Sequence, residues 1–211
     1  MKRTGNRALV LQGKFVRLEP LGLRHIDGLV SAAREDDTQY RWSEVPQTQV
    51  EALSYVQTAI EWQRAGSAVP FATIRVEDDA VVGSTRFWNC RRWHWPEGHP
   101  LWGRAEPDVC EIGYTWLARS AMGTASNTEA KSLMLTYAFE TWHVQRVCLH
   151  ADVRNERSRA AIERIGGKFE GILRAHRIAG DATARDSARY SIIAEEWPTV
   201  KQALNGRLSM R

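Results

Sequence analysis

At 211 residues, 43% hydrophobic and 26% charged, the chain is long enough for one domain that buries its core without disulfides or metals. Cys90, Cys110 and Cys148 are odd in number and lack CxxC spacing, which argues for a reducing compartment and against a disulfide framework or a zinc site. The net charge of +4 would suit an anionic partner, but the arginines are dispersed and no apolar run reaches membrane-spanning length, so neither nucleic acid nor membrane is expected.

The opening MKRTGNRALVLQ has no long apolar core and no cleavage site, so no signal peptide and a cytoplasmic location are expected. The domain is expected over 13–205, between short tails at 1–12 and 206–211. Gly13–Glu19 reads as a first strand. Leu23, Ile26, Leu29, Val30 and Ala33 form a helical stripe within Leu21–Arg34, and Ala52, Tyr55, Val56, Ala59 and Trp62 form another within Thr48–Ala65, which Gly66 ends. Val69–Val76 and Ala80–Trp88 read as paired strands around Glu77-Asp78-Asp79, with Gly83 marking a bulge or a close backbone approach.

The stretch 89–108 has no period and holds Trp93, Trp95, Trp102, His94 and His99. A loop this long in a compact domain reads as a substrate-site or dimer contact, or else as a cap on the core. The strand Val109–Leu117 then leads through the small-residue loop Ala118–Ser126 into a helix. Ala130, Leu133, Met134, Tyr137, Ala138 and Trp142 make its stripe, Asn127 is its expected N-cap, and Glu129 favours its positive end. Strand, loop and helix N-terminus can cradle an anion, with Gly123 allowing close approach and Arg119 adding charge, or can be an ordinary connection. Arg146–Asp152, Asn155–Ile165 (ended by Gly166-Gly167), Phe169–Leu173, Ala188–Ala194 and Glu195–Leu204 complete the order β-α-α-β-β-β-α-β-α-β-β-α, a mixed α/β domain.

Neither GxxxxGK[ST] nor GxGxxG is present. Arg119-Ser120-Ala121-Met122-Gly123-Thr124-Ala125 instead resembles, with one residue inserted, the pyrophosphate loop R/Q-x-x-G-x-G/A of the GNAT acetyltransferase superfamily. Asn155-Glu156-Arg157-Ser158, followed by AAIERIGGKFEGILR, resembles the N-x-x-S…G-F-x-x-E-G block of the same superfamily. With EIGYTWL before the loop, the resemblance spans roughly 81–197 and is closest to the branch of ribosomal-protein N-terminal acetyltransferases.

That resemblance implies a single GNAT-like domain with a mixed, mostly antiparallel central sheet, flanking helices and splayed central strands. It implies acetyl-CoA as donor, no metal, and a primary amine as acceptor, on a protein N-terminus or a small molecule, attacking directly in a ternary complex. Donor contacts would come from Leu117, Arg119, Met122, Gly123, Thr124, Ala125, Ser126, Asn127, Asn155 and Ser158. The branch and the tryptophans also suggest a homodimer.

Amine attack needs a base, because the free amine is mostly protonated near neutral pH. Glu111, read as sharing a strand face with Gly113 and Thr115, is one candidate, and a structural ion pair is its alternative. His176, in LRAHRIAGD, stands where the resembling enzymes carry an acidic catalytic residue, and a plain surface histidine is its alternative. Ser158 shares an inward stripe with Ile162 and Ile165, so its hydroxyl can serve the departing thiolate, unless it and Asn155 merely fill and cap a first turn. The acceptor cleft is expected from 34–47, the last strands and the Trp-rich loop, whose His94, Glu97 and His99 would suit a cationic or peptide-like amine. A non-catalytic acyl-CoA-binding module is the competing reading.

Overall fold

The computed structural model describes residues 9–211. The first eight positions of the stretch read for a leader lie outside the described residues. The strands are β1 (Leu11–Gln12), β2 (Val16–Pro20), β3 (Ala68–Arg75), β4 (Val81–Arg91), β5 (Val109–Leu117), β6 (Arg146–Asp152), β7 (Lys168–Ile178) and β8 (Ala184–Ile193). The helices are α1 (Ile26–Ala33), α2 (Gln49–Arg64), α3 (Ser126–Thr136), α4 (Glu156–Arg164) and α5 (Trp197–Ser209). No described helix is long and apolar enough to cross a membrane. β1 and the last turn of α5 fall in stretches read as tails.

The strands form one sheet in the order β1-β2-β3-β4-β5-β6-β8-β7. Every neighbouring pair is antiparallel except β5–β6. This is the expected mixed, mostly antiparallel α/β sheet, and its parallel pair is short. β5 and β6 pair from Val109↔Arg146 to Glu111↔Cys148 and no further, so Ile112–Leu117 leaves the ladder on that side and the two strands part.

Each face buries its own core. Leu29, Ala33, Val56, Ile74, Val82 and Trp116 pack under α1 and α2. Phe71, Phe87, Ile112, Met134, Leu149, Ile162, Tyr190 and Leu204 pack under α3, α4 and α5. The second helix starts on a capping box: Thr48 Oγ1 accepts from Glu51 N at 3.2 Å, and Glu51 accepts from Thr48 N at 3.2 Å. Gly83 is a close approach as expected, since a Cβ there would lie 2.1 Å from the Trp116 carbonyl oxygen.

The strict alternation read for β5 does not hold. Ser84 pairs with Trp116 and Arg86 with Gly113, so β5 carries one more residue than β4 between those pairs. Tyr114, at φ +52°, takes up the excess as a bulge. Thr115 consequently turns toward α3, while Tyr114 lies against Arg86 on the α2 face that Glu111 also occupies. Thr115 therefore does not share a face with Glu111.

Two buried ionic groups tie α3 to the sheet. Glu129, expected to answer the helix dipole, instead accepts from the backbone amides of Lys14, Phe15 and Val16 at 2.8, 2.6 and 2.7 Å, pinning the β1–β2 turn. Asn127 is not the cap; α3 begins at Ser126, whose amide donates to Thr124 Oγ1 at 3.2 Å. Lys131 is buried without a carboxylate partner among the described residues, and its Nζ donates to Thr115 Oγ1 at 2.6 Å and Thr85 Oγ1 at 3.0 Å. Burial lowers its pKa to about 7.

Glu129→Ala leaves three backbone donors without their acceptor and is expected to cost about 3 kcal/mol in urea unfolding, with Glu129→Gln losing less. For Lys131 the folded pKa lies below the unfolded one, so from about pH 7 to 10.5 the unfolded chain binds more protons and stability rises with pH. Lys131→Met should therefore stabilise by on the order of 3 kcal/mol at pH 7, with the gain fading toward pH 10. Unfolding curves at pH 6, 7, 9 and 10 check the sign.

Candidate active site

The parted strands form a groove whose far end is the loop between β5 and α3. Within it, Met122 N donates to Arg119 O at 3.2 Å and Thr124 Oγ1 donates to Ala121 O at 2.8 Å, closing a compact turn. Gly123, at φ +74°, has open space where a Cβ would stand. No described residue accepts from the amides of Gly123, Thr124 or Ala125, and the first turn of α3 follows directly. Free amides beside a helix N-terminus suit an anion such as a pyrophosphate.

Other expected donor contacts are committed elsewhere. The Met122 amide is used inside the turn, and the Leu117 carbonyl accepts from Tyr40 OH at 2.9 Å. Arg119 is largely exposed with Nε 3.9 Å from Asp36, while Ser120 N and Oγ both donate to Glu35. The residue inserted into the loop thus coincides with an Arg119 that faces an acid.

The N-terminus of α4 flanks the same groove. Asn155 caps the helix, its Oδ1 accepting from Ser158 N at 3.0 Å, so the capping role is realised. Arg157 reaches across to Gln39 O at 2.9 Å and Met122 Sδ at 3.4 Å, which sets the Ser158 turn opposite the loop. Ser158 is half-buried and its hydroxyl bonds to no described residue.

At the apex, where β5 leaves β6, lies a cavity of about 120 Å³ lined by Glu111, His150, His176 and Arg177, among others. The two candidate bases, far apart in sequence, thus meet in one place. Glu111 is 3% exposed and accepts from Arg177 Nη2 at 3.0 and 3.2 Å. His150 Nδ1 stands 3.1 Å from Glu111 Oε1, though off the line of a directed hydrogen bond. Burial pushes the Glu111 carboxyl up, but the His150 contact and the Arg177 charge outweigh it and hold the group below its ordinary value. Glu111 is therefore an ionised anchor, and the structural ion pair is realised.

His176 lies 5.1 Å from His150, ring centre to ring centre, with its Nδ1 buried and unpartnered among the described residues. Burial, then the positive charge of Arg177, lowers its pKa from 6.5, so the ring is neutral at pH 7. A bulge in β7 makes this possible. Between Leu173↔Ser187 and Arg177↔Arg185 the strand gains two residues, Ala175 sits at φ +46°, and adjacent His176 and Arg177 both line the cavity.

The Trp-rich loop is organised by buried Asp108, which accepts from Trp93 N at 2.7 Å and Trp95 Nε1 at 2.9 Å and pairs with Arg104 at 2.9 Å. Trp95 stacks on His99. Only Asn89 and Arg91, at the end of β4, reach the cavity; His94, Glu97 and His99, expected in the acceptor cleft, do not line it. Sequence reading missed His150 and Arg177. The polar alternation of Arg146, Cys148, His150 and Asp152 in β6 was the available sign for the first. The bulge that aims Arg177 left none.

A model of the Acetyltransferase (GNAT) domain matches residues 16–168. Over 87 residues the chain is 40% identical to a Bacillus subtilis (strain 168) protein named "Putative ribosomal N-acetyltransferase YdaF", a stretch that is 41% of this chain and 46% of that one, so it spans about half of that relative. A solved GCN5-related N-acetyltransferase from Brucella melitensis superposes with a TM-score of 0.79 at 28% identity, covering 95% of this chain and 85% of that chain. RimJ of Mycobacterium smegmatis, solved in complex with CoA-disulfide, has the same fold at a TM-score of 0.75 and 22% identity, covering 95% of this chain and 92% of its own. With the parted strands and the loop of free amides in place, the match over most of the sheet settles the family: this chain belongs to the GNAT acetyltransferases.

Proposed function

We propose that the protein moves an acetyl group from acetyl-CoA to a primary amine, on a protein N-terminus or a small molecule, by direct attack in a ternary complex. The observation that carries this is the convergence, where β5 leaves β6, of a neutral histidine and an ionised carboxylate at the end of a groove that begins in a loop of free amides. The bound donor supplies an acyl thioester, an electrophilic carbonyl on a good leaving group.

The residues of the chain divide the remaining work. The amides of Gly123, Thr124 and Ala125, with the first turn of α3 at Asn127 beyond the Ser126 amide that Thr124 holds, bind the donor's phosphates. The free edge of β5 beyond Glu111 offers main-chain donors and acceptors to the extended arm of the donor, as an added strand would. His176, neutral and with a free ring nitrogen, takes the proton from the incoming amine. Glu111 acts through its neighbours: it fixes Arg177 and keeps His150 beside His176. Ser158, whose hydroxyl bonds to no described residue, protonates or hydrogen-bonds the departing sulfur in this reading. No covalent intermediate is needed, so Cys90, Cys110 and Cys148 have no catalytic part.

Isothermal calorimetry with acetyl-CoA, followed by thiol release on a panel of amines, tests the reading. Absence of donor binding would sink it, and tight binding with no turnover on any amine would favour a binding module instead. His176→Gln should lower kcat by about 100-fold with donor affinity unchanged. In the wild-type enzyme kcat/KM should fall as pH drops through the lowered His176 pKa and the ring takes a proton, and this acid limb should be absent in the variant.

A further inference from the structure

His150 lines the apex cavity, yet the chemistry above gives it no proton to carry. Both of its ring nitrogens are enclosed, and no described residue makes a directed hydrogen bond to either. A buried polar ring left without partners is uncommon in a folded chain. Of the two histidines that line the cavity, His150 is the one with a carboxylate against it, its Nδ1 standing 3.1 Å from Glu111 Oε1.

His176, His150 and Glu111 stand in succession. His176 is part-exposed, and its Nδ1 is enclosed without a partner among the described residues. Its ring centre lies 5.1 Å from that of His150, a spacing that one proton transfer covers directly or across a single water. The charges along this line are uneven. Arg177 and Arg185 both act on His176 and disfavour a proton there, whereas Glu111, the one carboxylate among the lining residues, touches His150. Arg91 on β4, Arg189 on β8 and the thiols of Cys110 and Cys148 complete the ionisable lining. A proton taken up at His176 therefore gains by moving one ring onward, where the imidazolium faces a carboxylate.

We propose that His150 is the second member of a two-histidine proton relay, receiving through His176 the proton that the acceptor amine sheds. Nε2 of His176 takes the proton from the amine nitrogen, and Nδ1 passes its own to Nε2 of His150. His150 keeps its Nδ1 proton toward Glu111, which fixes that tautomer and balances the imidazolium, as the carboxylate of a Ser-His-Asp triad does. Only N–H bonds form and break in these steps. When the acetylated product leaves, the proton returns along the same two rings to bulk water. His150 thus acts through His176. The inference rests on the acetyltransferase reading above and completes its proton path.

Thiol release with acetyl-CoA and an accepted amine tests it. His150→Gln, which keeps a polar side chain against Glu111 but cannot carry a proton, should lower kcat by about tenfold at pH 7, with both KM values and acetyl-CoA affinity unchanged. On a His176→Gln background the same change should cost nothing further, because the relay is already cut. Independent roles would instead multiply the two losses, and that result overturns the proposal. So does an undiminished kcat in His150→Gln, or a loss that kcat shares with donor affinity, which marks a structural role. If His150→Gln does not fold, the wild-type enzyme still decides: single-turnover rates in mixtures of light and heavy water should bow with deuterium content, since two protons move together, and a straight line overturns the relay. Normal turnover without a His150 effect removes this inference alone, whereas no turnover of any amine by the wild-type enzyme removes the acetyltransferase reading with it.

Discussion

The parting of β5 from β6 after Glu111↔Cys148 is the constraint on which the rest of this structure depends. A parallel pair that continued would bury both edges in its ladder and leave no room between the two helical layers. Stopping it after three residues leaves the main-chain groups of Ile112–Leu117 open to the groove while Val109–Glu111 keeps the sheet whole. The same break sets the chemistry at its apex. Glu111 is the last paired residue on β5, and His150 lies two positions beyond its partner Cys148 on β6. The groove and the cluster of ionisable groups are two consequences of one interruption.

Two bulges then decide which side chains meet there. Regular alternation would have placed Thr115 with Glu111 and kept either His176 or Arg177 away from the cavity. The extra residue at Tyr114 turns Thr115 toward Lys131 and brings an aromatic ring beside Arg86. The longer excess in β7, anchored by Ala175 N donating to Asp186 at 2.7 Å, lets two consecutive residues face one space. In both places a local cost in the ladder re-aims side chains where the proposed chemistry needs them.

The buried charges show three different resolutions of one problem. Glu129 is satisfied by three backbone amides, Glu111 by Arg177 and His150, and Lys131 by hydroxyls and a lowered proton affinity. The first is a fastening between the β1–β2 turn and α3. The second holds Arg177 beside His176, where its charge adds to burial in lowering the proton affinity of that ring. Arg86 fits none of these patterns, because its neighbours supply ring faces and no acceptor.

Local signals in the sequence determined much of the architecture. The apolar stripes of α1, α2 and α4 and the strand Arg146–Asp152 rest on periodicity and glycine stops, and they stand where those signals put them. The loop after β5 and the Asn155–Ser158 turn were visible because short motifs pointed to them and to the family. Elements whose outcome depends on distant partners were decided only in the folded chain. Glu129 left the helix dipole for amides more than a hundred residues away, Arg119 turned to Asp36, and the tryptophans and histidines of the Trp-rich loop gathered around Asp108 while only Asn89 and Arg91 reached the cavity. Sequence named Glu111 and His176 singly, each with a structural role as its alternative. Only tertiary structure joined them, because a strand's register and its bulges are set by pairing across the sheet and leave little trace in any one strand.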